Sequence, residues 1–283
     1  MNILLIFFGK ILSKVINLLN LGSGETWPGH IALLVNKNFV RETLKNSKPK
    51  IILVAGTNGK TTTSKLIQTI LSKNERKIMQ NTSGANLLNG IASALILHSN
   101  ILEKFNYDFA IFEVDENTLP LALKEFTPDF IVLLNLFRDQ LDRYGEINTI
   151  ALKWMAAIEK LPHSTKLILN ANDPQIAFLG REKNAFYFGL NERSKTLKIP
   201  NSADSVFCPR CNSELRFEEL YFSHIGKWVC SKCSFKTPKL NLHNAPYYPL
   251  FGNYNKFNTL ASVLVAQEIG LNSSQIKNFK RSP

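Results

Sequence analysis

The sequence predicts an α/β protein with a doubly wound, mainly parallel sheet, and three observations lead to this fold class. Short aliphatic runs are continuous rather than alternating, which is typical of strands buried on both faces of a parallel sheet. Stretches with helical spacing lie between these runs, for example at residues 87–98 and 147–161. A cysteine-rich segment late in the chain indicates a small inserted zinc ribbon. The predicted strands read, in chain order, IILVA, KIMQ, FAIFEV, FIVLLN and KLILN.

The N-terminal residues 1–8, MNILLIFF, begin an apolar run that Lys10 and Lys14 interrupt. A membrane span needs about 20 apolar residues, and no Ala-x-Ala cleavage site follows, so the pattern predicts neither a span nor a signal peptide. The apolar residues from Ile3 to Leu19 fall on a broad face, which predicts an amphipathic helix. We expect this helix to pack against the rest of the chain or to contact a membrane surface. Residues 1–48 are interpreted as this helix and a lead-in segment.

The overall composition is that of an ordinary globular chain. Of its 283 residues, 45% are hydrophobic and 20% are charged, which excludes a fibrous or disordered chain. The formal net charge of +12 favours a polyanionic partner: nucleic acid, nucleotide phosphates or an anionic membrane surface. The charge alone does not select among these, because Lys and Arg are scattered and part of the excess is expected on a solvated face.

The first predicted strand continues into LVAGTNGKTTT, a short phosphate-loop pattern at residues 53–63. Only two residues separate its glycines, where the common pattern has four. The loop nevertheless lies between a buried strand and a helix, and a helix N-terminus offers backbone N–H groups to anions. Lys60 would contact the β and γ phosphates, and the Thr61 hydroxyl would bind magnesium. The alternative is a glycine turn that only joins strand to helix. The predicted nucleotide-binding residues of this loop are Gly56, Thr57, Asn58, Gly59, Lys60, Thr61 and Thr62.

Polar clusters follow three other predicted elements. FEVDEN carries Glu113, Asp115 and Glu116 at a strand end, where they would hold magnesium or simply solvate the strand. NLFRDQLDRYGE, residues 135–146, is rich in charge after another buried strand. FGNYNKFN, residues 251–258, places Asn255 and Asn258 at the start of a helix, where they could equally be capping residues. Since ligands gather beyond the carboxyl ends of parallel strands, these clusters are candidate site residues.

The four cysteines form two C-x-x-C pairs within one segment: Cys208 with Cys211, and Cys230 with Cys233. This spacing predicts one tetrahedral zinc site with four thiolates, which leaves no open position and therefore indicates a structural metal. RFEELYFS and KWVC between the pairs are predicted to be strands of the ribbon. Two disulfides or a redox pair are the alternatives. A ribbon in a cationic chain also raises the hypothesis of a nucleic-acid-binding ATPase, although no arginine-rich run or RNA-binding aromatic motif accompanies it.

Taken in order, AGTNGKTTT, FEVDEN, NLFRDQLDRYGE, NANDP and GNYNKFN resemble the central ATPase domain of the Mur ligases. The resemblance implies ATP and Mg²⁺ as cofactors in a Mur ligase-type domain over residues 49–283, with a structural Zn²⁺ in a ribbon insertion at residues 204–240. Gln140 stands where most members carry histidine. A carbamylated lysine is also a feature of many members, and Lys153 lies near its place. By position in the motifs, the implied roles are catalysis for Lys60, Glu113, Asp139, Asp142 and Arg143, magnesium binding for Thr61 and Glu113, and adenine binding for Asn255 and Asn258.

The ribbon, RDQLDRYGE and WPGHIAL together resemble the amidating branch of this family. This implies ATP-dependent amidation of the D-glutamate α-carboxylate of lipid II to D-isoglutamine through an acyl phosphate, with ammonia from a GatD-type glutaminase subunit in a heterodimer. The resemblance argues against nucleic acid as a partner. An amino-acid-adding ligase, a nucleotide-binding remnant and a nucleic-acid-binding ATPase are the alternatives. The expected location is cytoplasmic, with peripheral contact at the inner face of the membrane.

The chain departs from the Mur ligase pattern at both ends. About 50 residues precede the loop, too few for a nucleotide-sugar domain. The sequence also ends just after the last motif, where the family continues into a domain that carries an acidic residue near the acceptor. A fragment, a split gene whose second polypeptide supplies that domain, and a degenerate protein would each explain this. We expect the 283-residue chain alone to bind nucleotide and zinc without amidating.

Overall fold

The computed structural model describes residues 2–19, 26–45, 47–81, 84–100, 104–138, 146–193 and 204–277. The helices of these segments are α1 (Asn2–Leu18), α2 (Trp27–Val35), α3 (Phe39–Lys45), α4 (Lys60–Ser72), α5 (Leu88–His98), α6 (Leu119–Glu125), α7 (Glu146–Ile158), α8 (Pro174–Leu179), α9 (Asn253–Ile269) and α10 (Ser273–Lys277). The strands are β1 (Lys50–Ala55), β2 (Ile78–Gln80), β3 (Phe109–Val114), β4 (Phe130–Leu133), β5 (Lys166–Asn170), β6 (Ala185–Phe188), β7 (Leu215–Phe222) and β8 (Ile225–Cys230).

Strands β1 to β6 form one parallel sheet in the order β2-β3-β1-β4-β5-β6, and β7 pairs with β8 in a separate antiparallel hairpin. Alternate residues of a strand point to opposite faces of the sheet, and helices cover both faces. Within β1, Leu53 joins the apolar cluster shared with α5, whereas Val54 joins the cluster shared with α4 and α9. The doubly wound α/β fold is therefore confirmed, as are the predicted strands and the predicted helices in residues 87–98 and 147–161.

The sheet register brings the strand ends together where the polar clusters follow. Ala55, the last residue of β1, pairs with Val114 at the end of β3 and with Leu133 at the end of β4. The connections that leave these three strands therefore share one edge of the sheet. This edge holds the candidate site.

The N-terminal segment contains the predicted helix and two further helices, α2 and α3, that the sequence analysis left as lead-in. Helix α1 packs against α2 and α5 and buries Ile6 and Ile16. Its Gly9 allows this approach, since a Cβ there would lie 2.8 Å from the Ile96 side chain. Other apolar side chains of α1 stay exposed, among them Phe8 at 63%. Among the described residues, no helix is long and apolar enough to cross a membrane.

Candidate nucleotide site and zinc ribbon

Residues 56–59 connect β1 to α4 through a turn that requires its two glycines. Gly59 has φ of +88° and occupies the N-cap position of α4. A Cβ on Gly59 would lie 2.3 Å from Asn258 Oδ1, so a side chain would clash as well as strain the backbone. Gly56, at φ of +145°, packs against Leu134 and Asn135. The phosphate-loop pattern is therefore built as a strand, a glycine turn and a helix N-terminus.

The Lys60 side chain folds back over this loop. Its Nζ donates to the carbonyl oxygens of Gly56 at 2.7 Å and Thr57 at 3.0 Å. The ammonium therefore already lies at the mouth of the loop, beside the first turn of α4, whose N–H groups lack intrahelical partners. A phosphate placed there would meet both the lysine and the positive end of the helix dipole.

A small polar cavity of about 20 Å³ lies beside the phosphate loop, lined in part by Thr61 and Glu113. Glu113 is only 4% exposed, and its Oε1 accepts from the Gly84 N–H at 3.2 Å. Three buried oxygen atoms of residues that line this cavity have no hydrogen-bond partner among the described residues: Ser64 Oγ, Gln80 Oε1 and Glu113 Oε2. Unpaired oxygen ligands with one carboxylate fit a hard divalent cation such as magnesium.

The two neighbouring acidic residues, Asp115 and Glu116, make contacts outside this cavity. The Asp115 carboxylate accepts from the Thr118 N–H at 2.6 Å, at the start of α6. Glu116 is half-buried, and its carbonyl accepts from the Trp154 indole at 2.7 Å. Asn81, which the sequence analysis missed, pairs with the backbone of Glu113 through bonds of 2.9 Å in both directions. It fixes the end of β3 and thereby Glu113.

A second and larger cavity of about 310 Å³ adjoins the other side of the loop and forms the candidate nucleotide pocket. Its lining combines the loop, α9, two asparagines that follow or end strands, and one ribbon residue: Asn58, Gly59, Thr62, Leu134, Asn135, Asn170, Phe222, Tyr254, Phe257 and Asn258. Asn135, Asn170 and the aromatic residues of this lining were not predicted from the sequence. Their motifs were noted, but only the tertiary fold brings them together.

Asn255 and Asn258 lie in the first turns of α9, and neither caps it. The N-cap residue is Gly252, so no side chain caps this helix. Asn258 is 6% exposed, and its Oδ1 accepts from the Thr63 hydroxyl at 3.3 Å, which joins α9 to α4. The Asn258 amide in turn donates to Asn255 Oδ1 at 3.3 Å. Asn258 thus lines the pocket, whereas Asn255 supports it.

Several predicted residues are not placed at this site. Asp139, Gln140, Asp142 and Arg143 lie outside the described residues. Lys153 is exposed on α7 and lines a groove between α6 and α7, away from the nucleotide pocket.

The four cysteine sulfur atoms form one compact cluster, with every Sγ within 4.8 Å of the others. The Sγ atoms of Cys208 and Cys233 are 3.6 Å apart, and those of Cys211 and Cys230 are 3.5 Å apart, so no disulfide links them. Around a zinc ion with bonds of about 2.3 Å, tetrahedral sulfurs are separated by about 3.8 Å. Hydrogen bonds from Ser213 lower the pKa of the Cys211 thiol to about 6, whereas burial raises that of Cys208 to about 12. The cluster fits a four-thiolate zinc site.

The ribbon is attached to the sheet through the NANDP motif, residues 170–174. The motif begins at Asn170, the last residue of β5. Asn172 and Gly226 form two hydrogen bonds. Asn172 Nδ2 donates to the Gly226 carbonyl at 2.9 Å, and the Gly226 N–H donates to the Asn172 carbonyl at 3.0 Å. The Trp228 indole donates to the Ala171 carbonyl at 3.2 Å. These contacts join β8 to the residues that directly follow Asn170, the last residue of β5, which lines the nucleotide pocket.

A phosphate loop on the central strand of a parallel sheet, with a buried carboxylate beside it, defines a nucleotide-binding α/β domain. Residues 54–266 match the Mur ligase middle domain family, and the chain belongs to this family.

Relatives and solved structures refine this placement. The chain is 34% identical to the lipid II isoglutaminyl synthase (glutamine-hydrolyzing) subunit MurT of Staphylococcus aureus, over 90% of this chain and 60% of the relative. It is 31% identical to the MurT subunit of Streptococcus pneumoniae, over 91% of this chain and 61% of that protein. The chain thus spans about three fifths of the length of these relatives.

Among solved structures, a pseudomurein peptide ligase type C from Methanothermus fervidus is similar in fold, with a TM-score of 0.65 and 23% identity. That match covers 84% of this chain and 50% of the other. MurF from Acinetobacter baumannii has a TM-score of 0.57 at 17% identity, over 92% of this chain and 49% of that one.

Proposed function

We propose that this chain is the ATP-binding part of a ligase that amidates the α-carboxylate of D-glutamate in lipid II to D-isoglutamine. The observation that carries the proposal is the pairing of the phosphate loop with buried Glu113 at the ends of adjacent strands. It is supported by relatives named as subunits of lipid II isoglutaminyl synthase, which match over 90% of the chain. Residues 49–283 would form the ATPase domain, and residues 204–240 its zinc ribbon insertion.

The reaction needs an activated carboxyl group, because a carboxylate is a poor electrophile. A carboxylate oxygen would attack the γ-phosphorus of ATP, so that the bond to the β–γ bridging oxygen breaks and ADP leaves. The acyl phosphate would then be attacked at its carbonyl carbon by ammonia. Phosphate leaves, the nitrogen loses a proton and the amide remains. Catalysis of the first step consists mainly of positioning and charge stabilisation.

The described residues can supply these functions. Lys60 would exchange its two loop carbonyls for phosphate oxygens. Thr61 and Glu113 would hold magnesium, which supplies positive charge to the transferring phosphoryl group. Asn258, supported by Asn255, would contact the adenine region.

We further propose that Asp139, Asp142 and Arg143 line the reacting end.

Other polypeptides would complete the enzyme. Ammonia would come from a GatD-type glutaminase subunit, and a separate or continuing polypeptide would supply the remaining length of the MurT relatives. Because lipid II is anchored in a bilayer, the complex would act at the inner membrane face.

The test is phosphate release from ATP with a lipid II analogue and ammonia, using the full chain with and without the supplementing polypeptides. We expect release and an amidated product only in the complete mixture, with at least a hundredfold loss in Lys60→Met. Lys73→Met, at the far end of α4, is the matched control. Nucleotide binding without any amidated product in the complete mixture would contradict the proposal.

An amino-acid-adding ligase is a second candidate. The chain is 31% identical to a UDP-N-acetylmuramate--L-alanine ligase of Thermotoga maritima, over 59% of this chain. Stimulation of phosphate release by a free amino acid, rather than by ammonia, would favour this function.

A further inference from the structure

The zinc ribbon reaches into the nucleotide pocket with the tip of its hairpin. Phe222, the last residue of β7, lines the pocket together with Asn58 and Asn258. Its ring centroid lies 4.0 Å from that of Tyr254 and 5.6 Å from that of Phe257. One wall of the pocket therefore comes from the inserted ribbon and not from the sheet.

Neighbouring residues fix the hairpin tip against the sheet. The Tyr221 hydroxyl donates to the Leu190 carbonyl at 2.9 Å, after β6. His224 is fully buried, with Nε2 3.5 Å from the Asp173 carboxylate and its ring 4.7 Å from that of Phe137. Since residues on both sides of Phe222 are held, its ring has a defined place in the pocket.

The cysteine cluster lies at the opposite end of the same hairpin. Leu215 pairs with Cys230 at that end, and Phe222 pairs with Ile225 at the tip. At about 3.3 Å per residue, the seven steps from Leu215 to Phe222 span about 23 Å. A two-stranded hairpin is marginally stable by itself, so a bound metal contributes directly to its order.

We propose that the ribbon supplies the aromatic wall of the adenine subsite through Phe222, and that zinc binding at the cysteine cluster raises nucleotide affinity through the hairpin. The inference rests on the proposed function in taking ATP as the ligand of the pocket. An aromatic ring stacks on the flat face of a base and excludes water from it. The phosphates are held separately by the loop, so Phe222 acts on the nucleoside end alone.

The first test is calorimetric titration of the full, zinc-loaded chain with the β,γ-imido analogue of ATP plus magnesium, and separately with pyrophosphate. We expect Phe222→Ala to bind the nucleotide about tenfold or more weakly, as the loss of one base-stacking contact predicts. Its affinity for pyrophosphate and its zinc content should be unchanged. Phe222→Tyr should retain nucleotide affinity because it keeps the ring.

Phe207→Ala is the matched control, because Phe207 is a ribbon aromatic residue beside Cys208 at the cysteine end and is 54% exposed. It should bind nucleotide as the unaltered chain does. Unchanged nucleotide affinity in Phe222→Ala would overturn the proposal. If the unaltered chain bound no nucleotide, the proposed function itself would fail.

The second test compares the zinc-loaded chain, the chelated chain and Cys211→Ser, with circular dichroism to confirm that the sheet domain remains folded. Nucleotide affinity should fall when zinc is removed and return when zinc is added back to the unaltered chain, but not to Cys211→Ser. Equal affinity with and without zinc in a folded chain would overturn the metal dependence. If the zinc-free chain unfolds, the titrations of Phe222→Ala decide the role of the ribbon.

Discussion

The side chain of Asn135 forms two hydrogen bonds with the backbone of Asn58. The Asn58 N–H donates to Asn135 Oδ1 at 2.9 Å, and Asn135 Nδ2 donates to the Asn58 carbonyl at 3.0 Å. Asn135 follows β4, whereas Asn58 lies in the loop after β1, and these strands are neighbours in the sheet. The adjacent strand connection therefore holds the phosphate loop in shape before a ligand binds.

Asn135→Ala should weaken nucleotide binding by about tenfold, because it leaves the partly buried Asn58 amide and carbonyl without their partners at a cost of about 1–3 kcal/mol. Calorimetric titration with the β,γ-imido analogue of ATP measures this. Asn184→Ala is the control, since the Asn184 amide precedes β6 at the opposite edge of the sheet and donates to the His163 carbonyl at 3.4 Å. Equal losses in both variants would show that Asn135 has no special role in the loop.

Gly59→Ala should weaken nucleotide binding by at least about tenfold, because it adds a clash at the pocket to the cost of a left-handed backbone. The added Cβ would clash with Asn258 Oδ1, so the Asn258 side chain must leave its place in the pocket and its hydrogen bond with Thr63. Gly270→Ala separates this clash from backbone strain, because Gly270 has φ of +104° at the C-cap of α9 and its Cβ would meet nothing within 4 Å. The control should lose only about 1–2 kcal/mol of unfolding free energy, the cost of the left-handed conformation. Nucleotide titration and thermal melting together distinguish the two effects, and normal binding by Gly59→Ala would contradict the close packing of loop and α9.

The sheet could be predicted from the sequence because its strands are continuous apolar runs. The IILVA run became the central strand, with Ile52 through Ala55 fully buried. Strand β6 was missed because AFYF is only four residues long. Helices α2 and α3 were missed because each covers only two or three turns.

The site could be predicted only in part. Lys60 and the loop glycines were identified because local order along the chain defines a phosphate loop. Asn135 and Phe222 were not, since their positions depend on strand order and on where the inserted hairpin lies against the sheet. Spacing alone identified the cysteine cluster, but no local pattern indicates that the other end of its hairpin lines the nucleotide pocket.

Glu113→Gln should raise the magnesium concentration needed for half-maximal nucleotide binding by at least about tenfold, because a neutral amide replaces the buried carboxylate ligand. Without metal, the same variant should be no less stable than the unaltered chain. Glu113 Oε2 is buried and has no hydrogen-bond partner among the residues that the structure describes, so removing its charge relieves a desolvation cost.

Magnesium titrations of analogue binding and metal-free thermal melts check both parts. Asp115→Asn makes the same charge change two residues away, where the side chain can still accept from Thr118 N, and should leave the magnesium dependence unchanged. An unchanged midpoint in Glu113→Gln would place the cation elsewhere.

The purified chain should contain one zinc ion, bound by all four cysteines, because each Sγ lies within 4.8 Å of the others and no disulfide competes for them. Elemental analysis gives the stoichiometry, and cobalt substitution should produce the thiolate-to-cobalt absorption and visible bands of a tetrahedral four-sulfur site. Removing zinc should lower the melting temperature by about 10 °C, since a metal at 1,000 times its Kd contributes ~4 kcal/mol and each kcal/mol corresponds to ~2–4 °C. The melts of Cys211→Ser should not respond to added zinc. If the unaltered chain held no zinc or cobalt under reducing conditions, the structural metal site would be refuted.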